Sequence, residues 1–213
     1  MSTLGRPRVH LHLSRETIAQ AGLALIDRDG LEALSLRNLA VELGVGTTTL
    51  YGHVRTRDEI VSGVVGLLLG EVDTAERRGE RWDDGLRRVA HSVREMALRH
   101  PRAFALVAAA PVDEPPVLDY ARSLATLRAA HGMTEEQFVE SWKVVDGFLT
   151  GFLLMETAAV VRSSSAERTP SHAMPPIDPF QRHMAGVHSV AAFATALEVI
   201  IAGLRQTQTL PEQ

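Results

Sequence analysis

Between Leu36 and Val54 the chain reads LRNLAVELGVGTTTLYGHV, a stretch with room for two short helices and one turn and for little else. Leu36, Leu39, Ala40 and Leu43 recur at the i, i+3, i+4, i+7 spacing that gathers apolar groups on one helical face. Ser35 stands before them as an N-cap, its hydroxyl able to accept from a free backbone N–H. Gly44 follows, where a helix can end in a left-handed residue that glycine adopts without steric cost. Beyond it Val45 plugs the corner, and only Leu50 and Val54 remain as apolar anchors. Thr47, Thr48, Thr49, Tyr51 and His53 must therefore face away from the small core. The stretch predicts a tight helix pair whose second member is short and polar on its outer side.

A third helix starts almost at once. Thr56-Arg57-Asp58-Glu59 has the spacing of a capping box, in which the hydroxyl and the carboxylate each satisfy a free backbone N–H, ahead of the apolar run from Ile60. Upstream, Ser14 caps another helix, with Glu16 in its positive first turn and Ile18, Ala21, Gly22 and Leu25 on one face. Asp29-Gly30 ends it. Short helices with a tight turn between the last two form the helix-turn-helix arrangement, whose second helix enters the major groove of DNA. Residues 14 to 65 resemble the DNA-binding domain of the tetracycline-repressor (TetR) family. The resemblance is carried by ALSLRNLAVELGVGTTTLYGHVRTRDEI, with Leu39-Ala40, Leu43-Gly44-Val45, Leu50-Tyr51, His53-Val54 and the cap at Thr56 in place.

The resemblance implies a set of DNA contacts. Arg37, outward on the first helix of the pair, corresponds to a residue reaching a guanine edge, which arginine can contact through two hydrogen bonds. Thr47, Thr48 and Thr49 open the recognition helix, where short hydroxyls meet phosphates or base edges. Tyr51 and His53 resemble the family's phosphate-facing pair. Arg57 adds a cation beside a helix N-terminus, which itself favours anions. Leu36 departs from the pattern, since several members carry a hydroxyl there.

Charge is weaker support. The chain of 213 residues has a formal net charge of −4, yet residues 1 to 57 hold seven arginines against five acids. So small a surplus implies that two copies act together, because non-specific attraction grows with the number of phosphates neutralised. Arg6, Arg8, His10 and His12 lie in a tail, 1–13, with no apolar periodicity, and it is expected to be flexible. Zero cysteines exclude disulfides and thiol chemistry. No apolar segment follows the first basic residues, so a cytoplasmic location is expected. The bias to arginine, with Lys143 the single lysine, reads as base composition and carries no mechanism.

From Trp82 onward the pattern stays helical, and the fold class expected is all-α. The flanking segments are a DNA-binding domain at 14–65 and a helical regulatory and dimerisation domain at 66–213. Trp82, Leu86, Val89, Ala90, Val93, Met96 and Ala97 share a face, and His100-Pro101 marks the stop. Phe104 to Ala110 is a shorter apolar piece. Asp113-Glu114-Pro115-Pro116 reads as a linker before an amphipathic Val117 to His131. Thr134-Glu135-Glu136 opens a long helix to about Val161. Residues 163 to 180, rich in Ser, Pro and His, read as a mobile excursion, and the last helix is expected from about Pro179 or Phe180 to Arg205.

Val144 to Val161 and Val187 to Leu204 are apolar nearly all round and long enough to raise a membrane. Asp146, Glu156 and Glu198 argue against it, because Asp alone costs roughly 2.5 to 3.5 kcal/mol at a bilayer centre. A second copy of the chain can cover such faces instead. Gly147 and Gly151 permit close backbone approach, beside Phe148, Phe152 and Met155, and the family resemblance implies a homodimer interface built from these helices. Val190, Phe193 and Leu197 are its candidates on the last helix. A two-fold dimer would read a palindromic operator in double-stranded DNA, with half-sites ~34 Å apart.

The resemblance also implies a cup for a small-molecule effector, whose binding shifts the helix spanning Ile60 to Val72. Met96, His100, Phe104, Leu124, Leu127, Trp142, Asp146 and Phe148 are the candidate pocket residues, and for each plain core packing is an equal reading. No pattern for magnesium-tetracycline is recognisable. G-x-S-x-G, H-E-x-x-H, P-loop and G-x-G-x-x-G motifs are all missing, so no enzyme, cofactor or metal is expected. His183 and His188 are five apart, off the helical metal-pair spacing, and His172 lies in the excursion. The expectation is a ligand-released repressor. An activator or partner-regulated member of the same fold, or a helical carrier with a vestigial DNA head, stays open.

Overall fold

The computed structural model describes residues 13–166 and 189–207, and the regular structure in them is entirely helical, as an all-α chain requires. Among the described residues the order is α1 Arg15–Asp29, α2 Leu36–Leu43, α3 Thr47–Tyr51, α4 Arg57–Gly70, α5 Trp82–Arg99, α6 Phe104–Ala108, α7 Pro115–Ala130, α8 Glu135–Ala166 and α9 Val190–Thr207, with a 3-10 turn at Leu31–Ala33. The tail up to residue 12, most of the 163–180 excursion, and His172, His183 and His188 lie outside the described residues. Two compact units divide the chain, Met1–Val64 and Val65–Gln213.

The first unit is built as its caps and periodicity dictate. Ser14 accepts from the Thr17 N–H and Ser35 from the Asn38 N–H, which starts α1 and α2 at the expected residues. Gly44 closes α2 at φ 65°, a left-handed turn that any side chain would resist. Ile18, Ile26, Leu39, Leu50, Ile60 and Val64 form a core sealed to 1% exposure or less. In α4 a Cβ on Gly63 would lie 2.9 Å from the Ala19 Cβ, so α1 and α4 meet backbone to backbone. The capping box is redirected: Thr56 Oγ1 accepts from the Glu59 N–H, while Glu59 Oε2 accepts from Arg55 N and not from Thr56.

In the second unit α8 is the central element, packed against α5, α6, α7 and α9. Boundaries differ from expectation, that of α8 among them, which runs on to Ala166 past the expected Val161 and into the first residues of the expected excursion. Pro115 and Pro116 form the first turn of α7 instead of a linker, because proline's missing N–H is one the helix start leaves unused anyway. The last described helix begins at Val190, since the Ser189 hydroxyl accepts from the Ala192 N–H and caps it there. Inside, Arg94 of α5 meets Glu156 of α8 with Nε to Oε2 at 3.0 Å, both side chains nearly buried. The same guanidinium sits 5.4 Å from the Phe193 ring centroid. At the start of α5, Asp83 accepts from Arg81, Arg87 and Arg205, and Arg87 also forks onto Glu198, so α9 is tied to α5 by charge.

Candidate functional site

Two surfaces carry the side chains of interest, one in each unit. In the first, α2 and α3 are joined by Gly44 to Gly46, and α3 is only five residues long. Leu50 is its one buried residue, at 0% exposure, and it pins the helix to the core. Thr47, Thr48, Thr49 and Tyr51 are all exposed, Tyr51 at 55%, and Arg37 is exposed on α2. His53 follows α3 half-buried. Among the described residues no side chain caps the start of α3, so its first N–H groups are open to an outside acceptor.

Arg57 behaves differently from its neighbours. Its Nε donates to the Leu34 carbonyl at 3.1 Å and its Nη2 to the Leu31 carbonyl at 3.4 Å. The side chain is folded back to hold the loop between α1 and α2, an engagement its reading as a cation offered to DNA did not anticipate. An arginine seeking carbonyl acceptors cannot be told from one seeking phosphates by sequence alone. Arg55, exposed between α3 and α4, is the cation that reading passed over.

The second surface is a cavity of about 140 Å³ lined by α5, α6, α7 and α8. Phe104, Leu124, Leu127, Trp142 and Asp146 line it, as expected. Three candidates do not. Met96 is sealed in the α5 core at 1% exposure. His100 Nε2 lies 3.1 Å from Glu71 Oε1, outside the cavity. Phe148 is turned to the opposite side of α8, stacked on Phe193 at 5.6 Å and tilted against Phe152 at 5.5 Å. Two positions along a helix turn a side chain by about 200°, which separates Asp146 from Phe148.

Sequence reasoning missed Trp82, Tyr120, His131, Phe138, Ser141 and Thr150, all of which line the cavity. Phe138, Trp142 and Asp146 stand at i, i+4, i+8, and that spacing was a signal for the whole stripe once one member was chosen. Tyr120 is tilted against Trp142 with ring centroids 5.9 Å apart, and Phe138 is 5.9 Å from the same ring. Burial raises the Tyr120 phenol above its ordinary pKa, and the Asp146 charge raises it further. Burial also raises the Asp146 carboxyl.

The remaining faces of α8 and α9 divide sharply. Gly147 and Gly151 are exposed, and among the described residues nothing lies within 4 Å of where a Cβ would stand. Around them Met155 is 56% exposed, Leu154 37%, Val190 63% and Val199 67%. Phe152 is half-buried. Phe193 and Leu197, expected on the same outer face, are instead 0% and 1% exposed in the unit's own core. They point back at α5 and α8, so Phe193 packs on Phe148, Phe152 and His91 and has no surface to offer a partner. Residues Glu135–Ser164 are long and apolar enough to cross a membrane by length and composition, with 28% of the most apolar window buried.

Known proteins resemble both halves. The pattern of the tetracyclin repressor-like C-terminal domain matches residues 76–208. An HTH-type transcriptional regulator of Saccharopolyspora erythraea is 30% identical over 161 residues, covering 73% of this chain and 68% of that protein. The tetracycline repressor protein class D of Escherichia coli is 24% identical over 204 residues, 91% of this chain and 93% of its own length. Among solved structures, the Streptomyces coelicolor TetR family protein ActR in complex with (S)-DNPA superposes with a TM-score of 0.71 at 28% identity, covering 92% of this chain and 98% of that one.

Proposed function

The chain belongs to the tetracycline-repressor family of DNA-binding transcriptional regulators, and we propose that it is a repressor that holds a palindromic operator as a homodimer and is released by a small molecule. The observation that carries the reading is α3: one buried leucine fixes it, and every other side chain on it is polar or aromatic and exposed. A helix presenting so much hydrogen-bonding capacity for one anchor is built to touch something polar. Arg37, Thr47, Thr48, Thr49, Tyr51 and His53 are the contacts, with Arg57 setting the loop behind them. The E. coli relative is itself a tetracycline repressor, which favours repression over activation.

The uncovered face of α8 and α9 supports the dimer. Gly147, Gly151, Leu154 and Met155, at i, i+4, i+7 and i+8 of α8, present a stripe of small and apolar groups to solvent, and a lipid is the poorer occupant because Glu156 on the same helix is ion-paired inside the protein. The apolar cavity, in a fold whose ActR relative holds a small molecule, supports an effector site. α4 begins in the DNA-reading unit with Ile60 in its core and ends in the second unit with Leu69 lining the cavity. An effector then needs only to favour the geometry that does not fit DNA, each tenfold of preference being worth about 1.4 kcal/mol.

Selection of genomic fragments by the purified chain, followed by binding across a salt series, tests the reading. One or a few near-palindromic fragments should bind far above background and weaken steeply with salt. Arg37→Ala should cost about 1–3 kcal/mol on that site and relax its specificity. Equal binding to all fragments, or binding indifferent to both Arg37→Ala and Tyr51→Ala, would overturn it.

A further inference from the structure

We propose that the effector is a one-ring aromatic carboxylate whose acid group is received by Arg128 and His131 where α7 closes. The inference rests on the reading of the cavity as an effector site and adds the ligand's chemistry to it. Both residues line the cavity, and they stand at i and i+3 at the end of α7, so they share one helical face. His131 is 6% exposed, yet among the described residues neither of its ring nitrogens has a hydrogen-bond partner. Buried polar side chains are nearly always hydrogen-bonded, and one left open beside a cavity asks for a partner inside it. The ring's place is built into α5: a Cβ on Gly85 would lie 2.8 Å from His131 Cε1, so glycine there leaves room for the imidazole. Arg128 is half-buried and donates from Nη1 to the Met133 carbonyl at 2.7 Å, and among the described residues its guanidinium has no ion pair.

A guanidinium has five N–H donors in a planar fork, so all but one remain for a ligand, and a carboxylate is the acceptor that fork fits best. The imidazole adds one N–H in either neutral tautomer. The acids near this site are already answered or distant. Glu80 Oε2 lies 3.2 Å from the same Cβ position on Gly85, but the Arg88 fork takes its two oxygens at 2.9 and 2.7 Å and holds its carboxyl below the ordinary range. Asp146 is open to solvent and acts on Tyr120, which stands ~12 Å before Arg128 along α7 at 1.5 Å per residue. The negative end of α7 opposes an anion, and Arg128 in its last turn offsets that. A cation would meet Arg128 directly, and a neutral ring would leave its charge unanswered. The walls set the body of the ligand. Trp82, Phe104 and Phe138 are among the rings that line the cavity, and an aromatic body gains edge-to-face contacts with them. A volume of about 140 Å³ is close to the ~150 Å³ that admits a single benzene, so the body is one ring with its acid group directed to α7.

Both tryptophans of the chain, Trp82 and Trp142, line the cavity, so their fluorescence reports its occupation. Three planar probes of one size and different charge decide the matter on the full chain at neutral pH: benzoate as the anion, benzamide as the neutral ring, and benzamidine as the cation. We expect benzoate to bind about tenfold or more tightly than benzamide, the gain ordinary for a hydrogen bond to a charged group. Arg128→Gln should bring benzoate to parity with benzamide, whereas Arg128→Lys, which keeps the charge, should retain a preference for benzoate. Loosening of the end of α7 would weaken both probes alike, so their ratio separates a ligand contact from a purely structural role. His131→Phe, a ring without nitrogen, should lower the same ratio. Parity of benzoate and benzamide in the unmodified chain, a preference that survives Arg128→Gln undiminished, or tightest binding by benzamidine would each overturn the proposal while leaving the cavity as an effector site. Failure of all three probes to bind, with specific DNA binding intact, would overturn both.

Discussion

Asp83 is 2% exposed, a degree of burial that should drive its carboxyl toward the neutral form. The hydrogen bonds from Arg87, Arg205 and Arg81 outweigh that burial and hold its pKa at about 2, below the ordinary 3.8. A depressed carboxyl contributes stability that is complete above its unfolded value and vanishes as pH falls through its folded one. The window is therefore pH 4 down to pH 2, and the amount at stake is about 2 kcal/mol. Urea unfolding of the chain and of Asp83→Asn at pH 6, 4 and 3 checks this. The variant should be weaker at pH 6 and should lose less than the unmodified chain between pH 4 and 3; equal losses would dismiss Asp83 as the acid-sensitive group. Gly63 makes a second point of the same kind. Alanine there would gain up to about 1 kcal/mol of helix propensity, but its Cβ would press on Ala19 at 2.9 Å, and overpacking of about 1–3 kcal/mol is the larger effect. Gly63→Ala should lower the melting temperature and weaken DNA binding, whereas a stabilised protein would show that α1 and α4 part freely.

The helices follow from their own punctuation wherever the chain supplies it locally. Ser14, Ser35, Gly44 and Thr56 each appear in the structure in the role their position implies, because a cap is decided by residues three or four apart. What the sequence could not decide was the side of a helix that is apolar all round. In α8, Phe148 and Asp146 are two residues apart, and only the packing of α5, α6, α7 and α9 tells which one meets the cavity. The same ambiguity placed Phe193 and Leu197 on the wrong face of α9, and Arg57 offered no sign of the two carbonyls it would find more than 20 residues upstream. Of the Phe, Trp and Tyr residues lining the cavity, only Phe104 and Trp142 were legible in advance, while the bounds and exposed face of α3 were legible almost entirely. The α5 to α8 contact is testable through Arg94 and Glu156, whose side chains are 11% and 8% exposed. Removing one partner leaves a buried charge alone, so Glu156→Gln should cost about 3–5 kcal/mol. Calorimetry should register it as a fall in Tm of several degrees, while a double change, Arg94→Met with Glu156→Leu, should recover most of the loss.

Taken as one polymer, the chain is acidic with a mildly basic start, and that distribution asks for a second copy. Gly151→Arg puts a bulky charge where the α8 face is bare, far from the cavity side of the same helix. Sedimentation should show this variant as a monomer with near-native helix content, and its operator affinity should fall together with the salt slope, since a lone chain neutralises fewer phosphates. A monomeric unmodified chain with full operator affinity would end the two-copy reading. The economy of α3 has a further consequence. Because Leu50 alone anchors it, substitutions at Thr47, Thr48, Thr49 or Tyr51 should hardly disturb the fold, surface changes usually lying within about 0.5 kcal/mol. A gene duplicate of this regulator could thus acquire a new address in the genome by changing a few side chains, while leaving the rest of its fold untouched.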